Sequence, residues 1–417
     1  MFLADLLTTV FERRYRSRSA DKPDDRRIEA LVDDLIGATG EVSGVSMARQ
    51  ILGRYAAMTD DDKRGFFHHL AKELSVSAPN VRAALELYEN GQSKASYRAF
   101  LEAVEPPRQE LIRRLNQVPD ATRFLVRMRE DLLRLSPGDD ALQALDLDFR
   151  HLFSSWFNRG FLVLRHINWD SPAQLLEKIA AYEAVHEIDG WDDLRRRLAP
   201  ADRRCFAFLH PAMPDEPLIF VEVALTRGVP GSVQDLLAEN RTVLDADTAD
   251  TAVFYSISNC QEGLAGISFG NSLIKQVAAD LALELPGLKT FVTLSPIPGL
   301  VRWFEAEGLA VDADNEEGLR QQAARYLVTA KRKDGLPLDA VARFHLGNGA
   351  LVHQVHAGAD LSGKGVRQSA GVMVNYLYDL NSVTQNHERF AASRTVAASA
   401  DIRSLCAAAN EAVAPGA

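Results

Sequence analysis

The sequence predicts an α+β protein in which an all-α half, residues 1–155, precedes a mixed-sheet half, residues 156–417. Two observations carry this expectation. Up to about Ser155 the apolar residues recur at intervals of three and four, as in IEALVDDLI, MARQILGRYAAM and FLVRMREDLLRL, with little strand-like alternation. Beyond Trp156 short β-rich runs take over (CFAFLH, LIFVEVAL, AVFYSIS and FVTLS), and turn signals separate them.

The elements follow in order. The first residues, MFLADLLTTVFERRYRSRS, read as an amphipathic helix rather than a secretory signal, because they lack a long apolar run and a small-residue cleavage site. Thr59 with Asp62 makes a capping-box pattern before FFHHLAKEL, Ser77 and Pro79 open the next helix, and Glu105-Pro106-Pro107 separates two more. There is no fixed-period repeat, and a helical array without evident chemistry reads as structural or as an oligomerisation surface. In the second half Ser171-Pro172 is expected to cap a helix through AQLLEKIAAYEAV. Pro211 to Pro217 fits a hairpin between CFAFLH and LIFVEVAL, which pairs them antiparallel. AVFYSIS and FVTLS are instead joined by the helix-like GNSLIKQVAADLALELP, a β-α-β unit, so the sheet should be mixed.

Bulk properties narrow the function. A chain of 417 residues that is 47% hydrophobic and 25% charged is long enough to bury a sizeable core. Its formal net charge of -10, with 57 acidic against 47 basic residues, argues against nucleic acid or an anionic membrane as the main partner, so an anionic ligand needs local features to hold it. Cys205, Cys260 and Cys406 form neither a disulfide framework nor a CxxC pair, which points to a reducing compartment. No uncharged apolar stretch reaches the roughly 18 residues of a membrane span, and Ala-Pro-Gly-Ala at the C-terminus is not a peroxisomal address. A soluble, cytoplasmic protein is the expectation.

Three places carry chemistry. After AVFYSIS a loop, Gln261 to Gly270, brings three glycines to a helix beginning near Asn271, with Lys275 in its first turns. Glycines let a backbone approach a ligand, and the N–H groups at a helix start suit a phosphate. Alone, the same pattern is also that of a tight turn. Neither GxxxxGK[ST] nor GxGxxG occurs, which disfavours ATP and dinucleotides. Second, FVTLSPIPGL ends a strand at Ser295, and two prolines prevent the ladder from continuing. No GxSxG elbow surrounds this serine, and by itself it is a strand-ending turn. Third, DAVARFHLGNGALVHQV carries a helix to His345, with Gly347-Asn348-Gly349 as its C-cap before another β-rich run. A histidine at such a boundary suits proton transfer. His353 and His356, three apart on a strand, should face opposite ways, which argues against a metal pair.

Taken together, RRCFAFLHPAMPDEPLIFVEVALT, FYSISNCQEGLAGISFGNSLIKQV, TLSPIPGL, ARFHLGNGA and SAGVMVNYLYDLNSVTQNHERF resemble the signature blocks of the malonyl-CoA decarboxylase family. The likeness spans roughly residues 155 to 400, and a weaker one runs through SWFNRGFLVLRHINW back into RRLNQVP. The resemblance implies a helical domain used in self-association, as a homo-oligomer and specifically a tetramer, followed by a GNAT-like mixed-sheet domain. That domain would bind coenzyme A, itself part of the substrate malonyl-CoA, with no metal or organic cofactor. By the same analogy Ala265, Gly266, Ile267, Ser268, Phe269, Gly270 and Asn271 hold the CoA pyrophosphate, and Ser295 and His345 are the catalytic pair and touch the substrate. Two departures exist: Gly347 stands where the family often has arginine, and VHQVHAGAD differs from a tryptophan-bearing pattern.

Chemistry makes these expectations coherent. Loss of CO2 from malonyl-CoA leaves a carbanion delocalised into the thioester carbonyl, so the enzyme must hold an enolate oxygen and deliver a proton without an electron-sink cofactor. His345 is the expected proton donor, Ser295 its partner, and backbone N–H groups near splayed strands the oxyanion donors. Asn375 and Tyr376 are secondary candidates, although Tyr-Leu-Tyr on an alternating run also fits the core. Two rivals stay open at this point: a GNAT-type N-acyltransferase and a non-catalytic CoA-binding regulator.

Overall fold

The structure is a computed structural model that describes residues 24–38, 40–267 and 273–413. The amphipathic helix expected at the N-terminus lies outside the described residues. The chain divides into two units, residues 1–153 and 154–417.

In the first unit the local signals start helices where the capping chemistry requires. α1 (Ile28–Gly37) and α2 (Glu41–Ala56) are followed by α3 (Asp60–Glu73), where Thr59 accepts from the Asp62 N–H and the Asp62 side chain accepts from Thr59. Ser77 caps α4 (Ala78–Asn90), α5 (Lys94–Val104) starts from Ser93, and α6 (Pro107–Leu115) opens on its proline. α7 (Ala121–Leu135) buries the stripe Leu125, Val126, Met128, Leu132 and Leu135, and α8 (Asp140–Trp156) buries Leu142, Leu145, Phe149, Leu152 and Phe153. The α4–α5 pair differs. α4 buries no side chain and α5 buries only Ser96, so the two hold each other through Tyr88 stacked on Phe100, with centroids 6.1 Å apart.

The second unit is built on a mixed sheet of eight strands. They are β1 (Val163–Ile167), β2 (Arg203–His210), β3 (Met213–Thr226), β4 (Thr251–Asn259), β5 (Thr290–Thr293), β6 (Ser295–Pro296), β7 (Leu351–His356) and β8 (Met373–Leu377). β1 to β4 pair antiparallel in sequence order, and β5 then lies parallel to β4. β5 and β6 are two halves of one interrupted strand, both antiparallel to β8, whose other edge carries β7. A single parallel pair joined by a helix, in an otherwise antiparallel sheet, gives the mixed sheet that the sequence predicts.

One face of this sheet, including Phe206, Phe208, Val221 and Phe254, packs on α12 (Leu273–Glu284), α13 (Leu300–Glu307) and α14 (Glu316–Thr329). The other, including Cys205, Ala207 and Phe220, packs on α9 (Ala173–Tyr182) and α10 (Trp191–Leu198). The chain also forms α11 (Val233–Leu237), α15 (Ala340–Gly347), α16 (Gly363–Ser369), α17 (Val383–Ser393) and α18 (Ala400–Val413).

Several local expectations change. The hairpin between β2 and β3 turns over Pro211-Ala212, because pairing resumes at His210 with Met213, and Pro217 enters β3 at an irregularity opposite Leu209. Ser171 does not cap α9: its hydroxyl accepts from the Asn168 N–H, and the helix ends at Tyr182, before Glu183. β1 adds an edge strand that the apolar runs did not announce. In β7 a bulge between Val352 and Gln354 sends Val352 and Val355, three apart, into the same core, so the alternation expected to part His353 from His356 is broken there.

Gly349 closes the turn after α15 with φ +87°, and a Cβ there would collide with the Val383 carbonyl oxygen. Backbone cannot yield as a side chain can. Gly349→Ala is therefore expected to destabilise the protein by at least about 2 kcal/mol, read as a fall in denaturation midpoint. An unchanged midpoint would show that the turn tolerates a side chain.

Candidate active site

The sheet opens at one point, and a bulge in β4 opens it. Glu222 of β3 lies opposite Ser256, whereas its neighbour Val223 lies opposite Phe254, leaving Tyr255 as the extra residue. β4 and β5 stay paired as far as Phe254 and Thr293, and the last bond between them runs from the Leu294 N–H to the Phe254 carbonyl. Beyond it β5 passes into β6, which pairs with β8, and β4 is left without a partner on that side. The Cys260 N–H bonds to the Leu218 carbonyl of β3. Strand alternation then turns the main-chain groups of Ser258 and Ser256 toward β3, and those of Ile257 and Asn259 toward the gap.

The gap holds a cavity of about 240 Å³. Phe254, Tyr255, Ile257 and Asn259 form its β4 wall; Ser295 and Pro296 form the β6 wall; Ala340, Val341, Phe344 and His345 of α15, with Val185, complete it. Ser295 and His345 thus meet although 50 residues separate them: Ser295 Oγ stands 3.2 Å from His345 Nε2.

Each is held by a second contact. Ser295 Oγ–H donates to Thr293 Oγ1 (2.9 Å), and His345 Nδ1 lies 2.8 Å from the Tyr378 hydroxyl. The Tyr376 ring stacks on the imidazole at 4.5 Å, inclined by 22°. Assigning Tyr378 O–H as donor to Nδ1 leaves the hydrogen on Nε2, which then donates to Ser295, so each donor is used once. Burial pushes the His345 pKa down to about 3, so the imidazole is neutral throughout the physiological range.

Side chains stitch the seam behind the pair. Where the ladder between the interrupted strand and β8 lapses, Thr293 Oγ1 accepts the Tyr376 N–H (3.1 Å) and Asn375 Nδ2–H donates to the Thr293 carbonyl (2.7 Å). Asn375 is fully buried, hydrogen-bonds to His356 as well, and acts as a brace rather than a cavity residue. Tyr376 is fixed by its stacking on His345. Thr293 and Tyr378 are the partners that sequence reasoning missed. Tyr378, just beyond the end of β8, packs into the same core as Tyr376 two residues before it, and that spacing was the available signal.

The glycine-bearing loop leaves β4 at Asn259 and does not line this cavity with its described residues. Ala265 and Ile267 spend their N–H groups on Glu262 and Leu264 (2.9 and 3.0 Å), and Gly266 takes φ +74° between them. Ser268, Phe269, Gly270 and Asn271 lie outside the described residues.

On the opposite side of β3 and β4, Glu222 is fully buried, with Arg197 Nη1 3.5 Å from its carboxyl. Burial, reinforced by the nearby Glu183 charge and opposed by Arg197, pushes its pKa up to about 8. Glu183 in turn accepts from Ser256 Oγ (2.8 Å) and from the Val185 and His186 N–H groups (2.7 and 2.9 Å), which ties the segment carrying Val185 to β4.

Two family profiles match: "Malonyl-CoA decarboxylase C-terminal domain" over residues 160–321 and 306–415, and "Malonyl-CoA decarboxylase N-terminal domain" over residues 74–157. The chain belongs to the malonyl-CoA decarboxylase family. It is a carboxy-lyase by that membership. Among solved malonyl-CoA decarboxylases, that of Rhodopseudomonas palustris superimposes with a TM-score of 0.85 at 46% identity, covering 90% of this chain and 98% of the other. The Agrobacterium vitis protein gives 0.85 at 48%, covering 91% and 99%. The mitochondrial malonyl-CoA decarboxylase of Mus musculus is 31% identical over 431 aligned residues, 91% of this chain and 86% of that protein. Among the described residues no helix is long and apolar enough to cross a membrane, and no group of three or more His, Cys, Asp or Glu is placed to hold a metal ion.

Proposed function

We propose that the protein converts malonyl-CoA to acetyl-CoA and CO2, with His345 as proton donor and Ser295 as its proton-handling partner. The observation that carries this reading is the 3.2 Å approach of Ser295 Oγ to His345 Nε2 at the mouth of the β4–β5 gap. The thioester arm enters the gap, where the unpaired N–H groups of Ile257 and Asn259 serve as donors to the developing enolate oxygen; one such donor is typically worth about 2.7 to 4 kcal/mol. Because His345 is neutral, the proton that reaches the α-carbon comes from the Ser295 hydroxyl, which takes the Nε2 hydrogen of His345 in turn; a proton from water then restores the imidazole, and the hydroxide left is taken up by the released CO2 as bicarbonate. An enolate carbon is basic enough to accept a proton from a neutral hydroxyl. No step asks for a metal or organic cofactor.

Three cysteines that are free and buried suit a reducing cytoplasm. On α4 and α5, Leu87, Tyr97 and Leu101 are 46–55% exposed, which supports a homo-oligomer, and the family likeness supports reading it as a tetramer.

The deciding experiment supplies purified protein with malonyl-CoA alone and follows CO2 and acetyl-CoA. Turnover without an added amine is expected, which an N-acyltransferase would not show. Tight binding with no turnover would sink the proposal in favour of a regulator.

A further inference from the structure

The cavity is electrically lopsided. Its β4 wall presents the unpaired N–H groups of Ile257 and Asn259, whereas its α15 wall presents Ala340, Val341 and Phe344, together with His345, whose one N–H is given to Ser295. No lysine or arginine lines it among the described residues. The other feature of the α15 wall suited to an anion is the start of the helix itself, and it too is engaged. Asp339, 3% exposed, caps α15 with its own carboxylate, accepting from the Ala342 N–H at 2.9 Å and the Gly299 N–H at 3.4 Å. A second carboxylate near that end would meet a like charge rather than a free dipole. Phe344 is unusual for a large aromatic beside a buried pair: it remains 40% exposed while its ring stands edge-on to His345 at 5.1 Å.

We propose that the α15 wall is the subsite for the malonyl carboxylate, and that it holds this group without a compensating cation so that Phe344 and Val341 favour its departure as CO2. This rests on the decarboxylase reading. In the step, the bond between the α-carbon and the carboxylate breaks and its electron pair moves into the thioester as an enolate. The negative charge shifts from the α15 wall to the β4 wall, neutral CO2 leaves, and one proton, replaced from water, completes acetyl-CoA. A charge in apolar surroundings is destabilised unless paired, so the starting carboxylate gains from leaving, while the enolate oxygen gains from the β4 donors. A cation on the α15 wall would help binding and oppose the reaction.

The test places one there. Phe344→Lys is compared with Phe344→Met, which keeps the wall apolar. For each we would measure kcat for malonyl-CoA and, with Ser295 also replaced by alanine to block turnover, the affinities for malonyl-CoA and acetyl-CoA. Phe344→Lys is expected to lower kcat and tighten malonyl-CoA by at least about tenfold each, equivalent to about 1.4 kcal/mol, with acetyl-CoA affinity unchanged. Phe344→Met, which brings no charge, should change kcat less than Phe344→Lys does and leave the ratio of malonyl-CoA to acetyl-CoA affinity within about threefold of the parent's, a difference under 1 kcal/mol. Equal tightening of acetyl-CoA, unchanged malonyl-CoA affinity, or an equal loss of kcat in Phe344→Met would overturn the subsite. A parent protein that releases no CO2 overturns the decarboxylase reading instead, and the affinities still report on the subsite.

Discussion

His345→Ala and Ser295→Ala should each reduce turnover of malonyl-CoA by at least about a hundredfold, and up to about 10⁴-fold, the range for loss of a positioned proton-transfer group. CoA binding should be nearly unaffected, because the proposed roles set both side chains at the reacting carbon of the substrate rather than along its carrier arm. The effects should not add. Ser295 Oγ and His345 Nε2 share one hydrogen bond at 3.2 Å, so the double variant is expected to be little worse than the poorer single one. With the imidazole pKa held near 3 by burial, turnover should show no step at pH 6 to 7 from this group. Steady-state kinetics of the three variants across pH provide the check. Near-native rates in either single variant would remove that residue from the mechanism, and a histidine-like limb near 6.5 would contradict the buried neutral imidazole.

The second large effect concerns stability. Glu222 has a folded pKa of about 8 against an ordinary value of 4.5. The sign follows directly: below 4.5 the residue is neutral in both states, and as pH rises toward 8 only the unfolded chain can ionise it, so stability is lost progressively over that window. Each unit of displacement corresponds to about 1.4 kcal/mol, giving several kcal/mol in all. Glu222→Gln keeps the shape and removes the titration. Its melting temperature should therefore exceed that of the parent by a margin that widens from pH 5 to pH 8, as followed by circular dichroism. A margin independent of pH would mean that Glu222 does not change ionisation on folding. His345 acts in the opposite direction, since its lowered pKa withdraws stability as pH falls from 6.5 toward 3.

What the sequence makes legible is chemistry completed within a few residues. Thr59 with Asp62, Ser77 with Pro79, and Pro107 each state a helix start, because the cap and the N–H it satisfies are neighbours. Ser171 misled for the same kind of reason: an equally local partner, Asn168, took its hydroxyl. The candidate pair is legible as two residue types at two element ends. Their approach is not, since it depends on α15 folding back against the seam between β6 and β8. Tyr378 was hidden by its likeness to Tyr376: the two lie two apart in one alternating run, Tyr378 just beyond the end of β8, and only tertiary geometry decides which ring stacks on His345 and which hydroxyl meets it. The bulges at Tyr255 and beside His353 were equally silent, because an extra residue in a strand changes no residue type.

That silence bears on how the cavity is inherited. Beyond Tyr255 the strand is out of phase by one residue with its own beginning, so Phe254 and Ile257, three positions apart, pack toward the same core. Loss of any single residue between Thr251 and Tyr255 would remove the bulge, make Val223–Phe254 and Glu222–Ser256 consecutive pairs of one regular ladder, and take away the extra position from which Tyr255 lines the cavity, while Ser256 and Ile257 keep the faces they have. Substitutions leave the bulge in place, whereas one deletion removes it. In this segment the number of residues is therefore a functional property of the chain in its own right, alongside their identities.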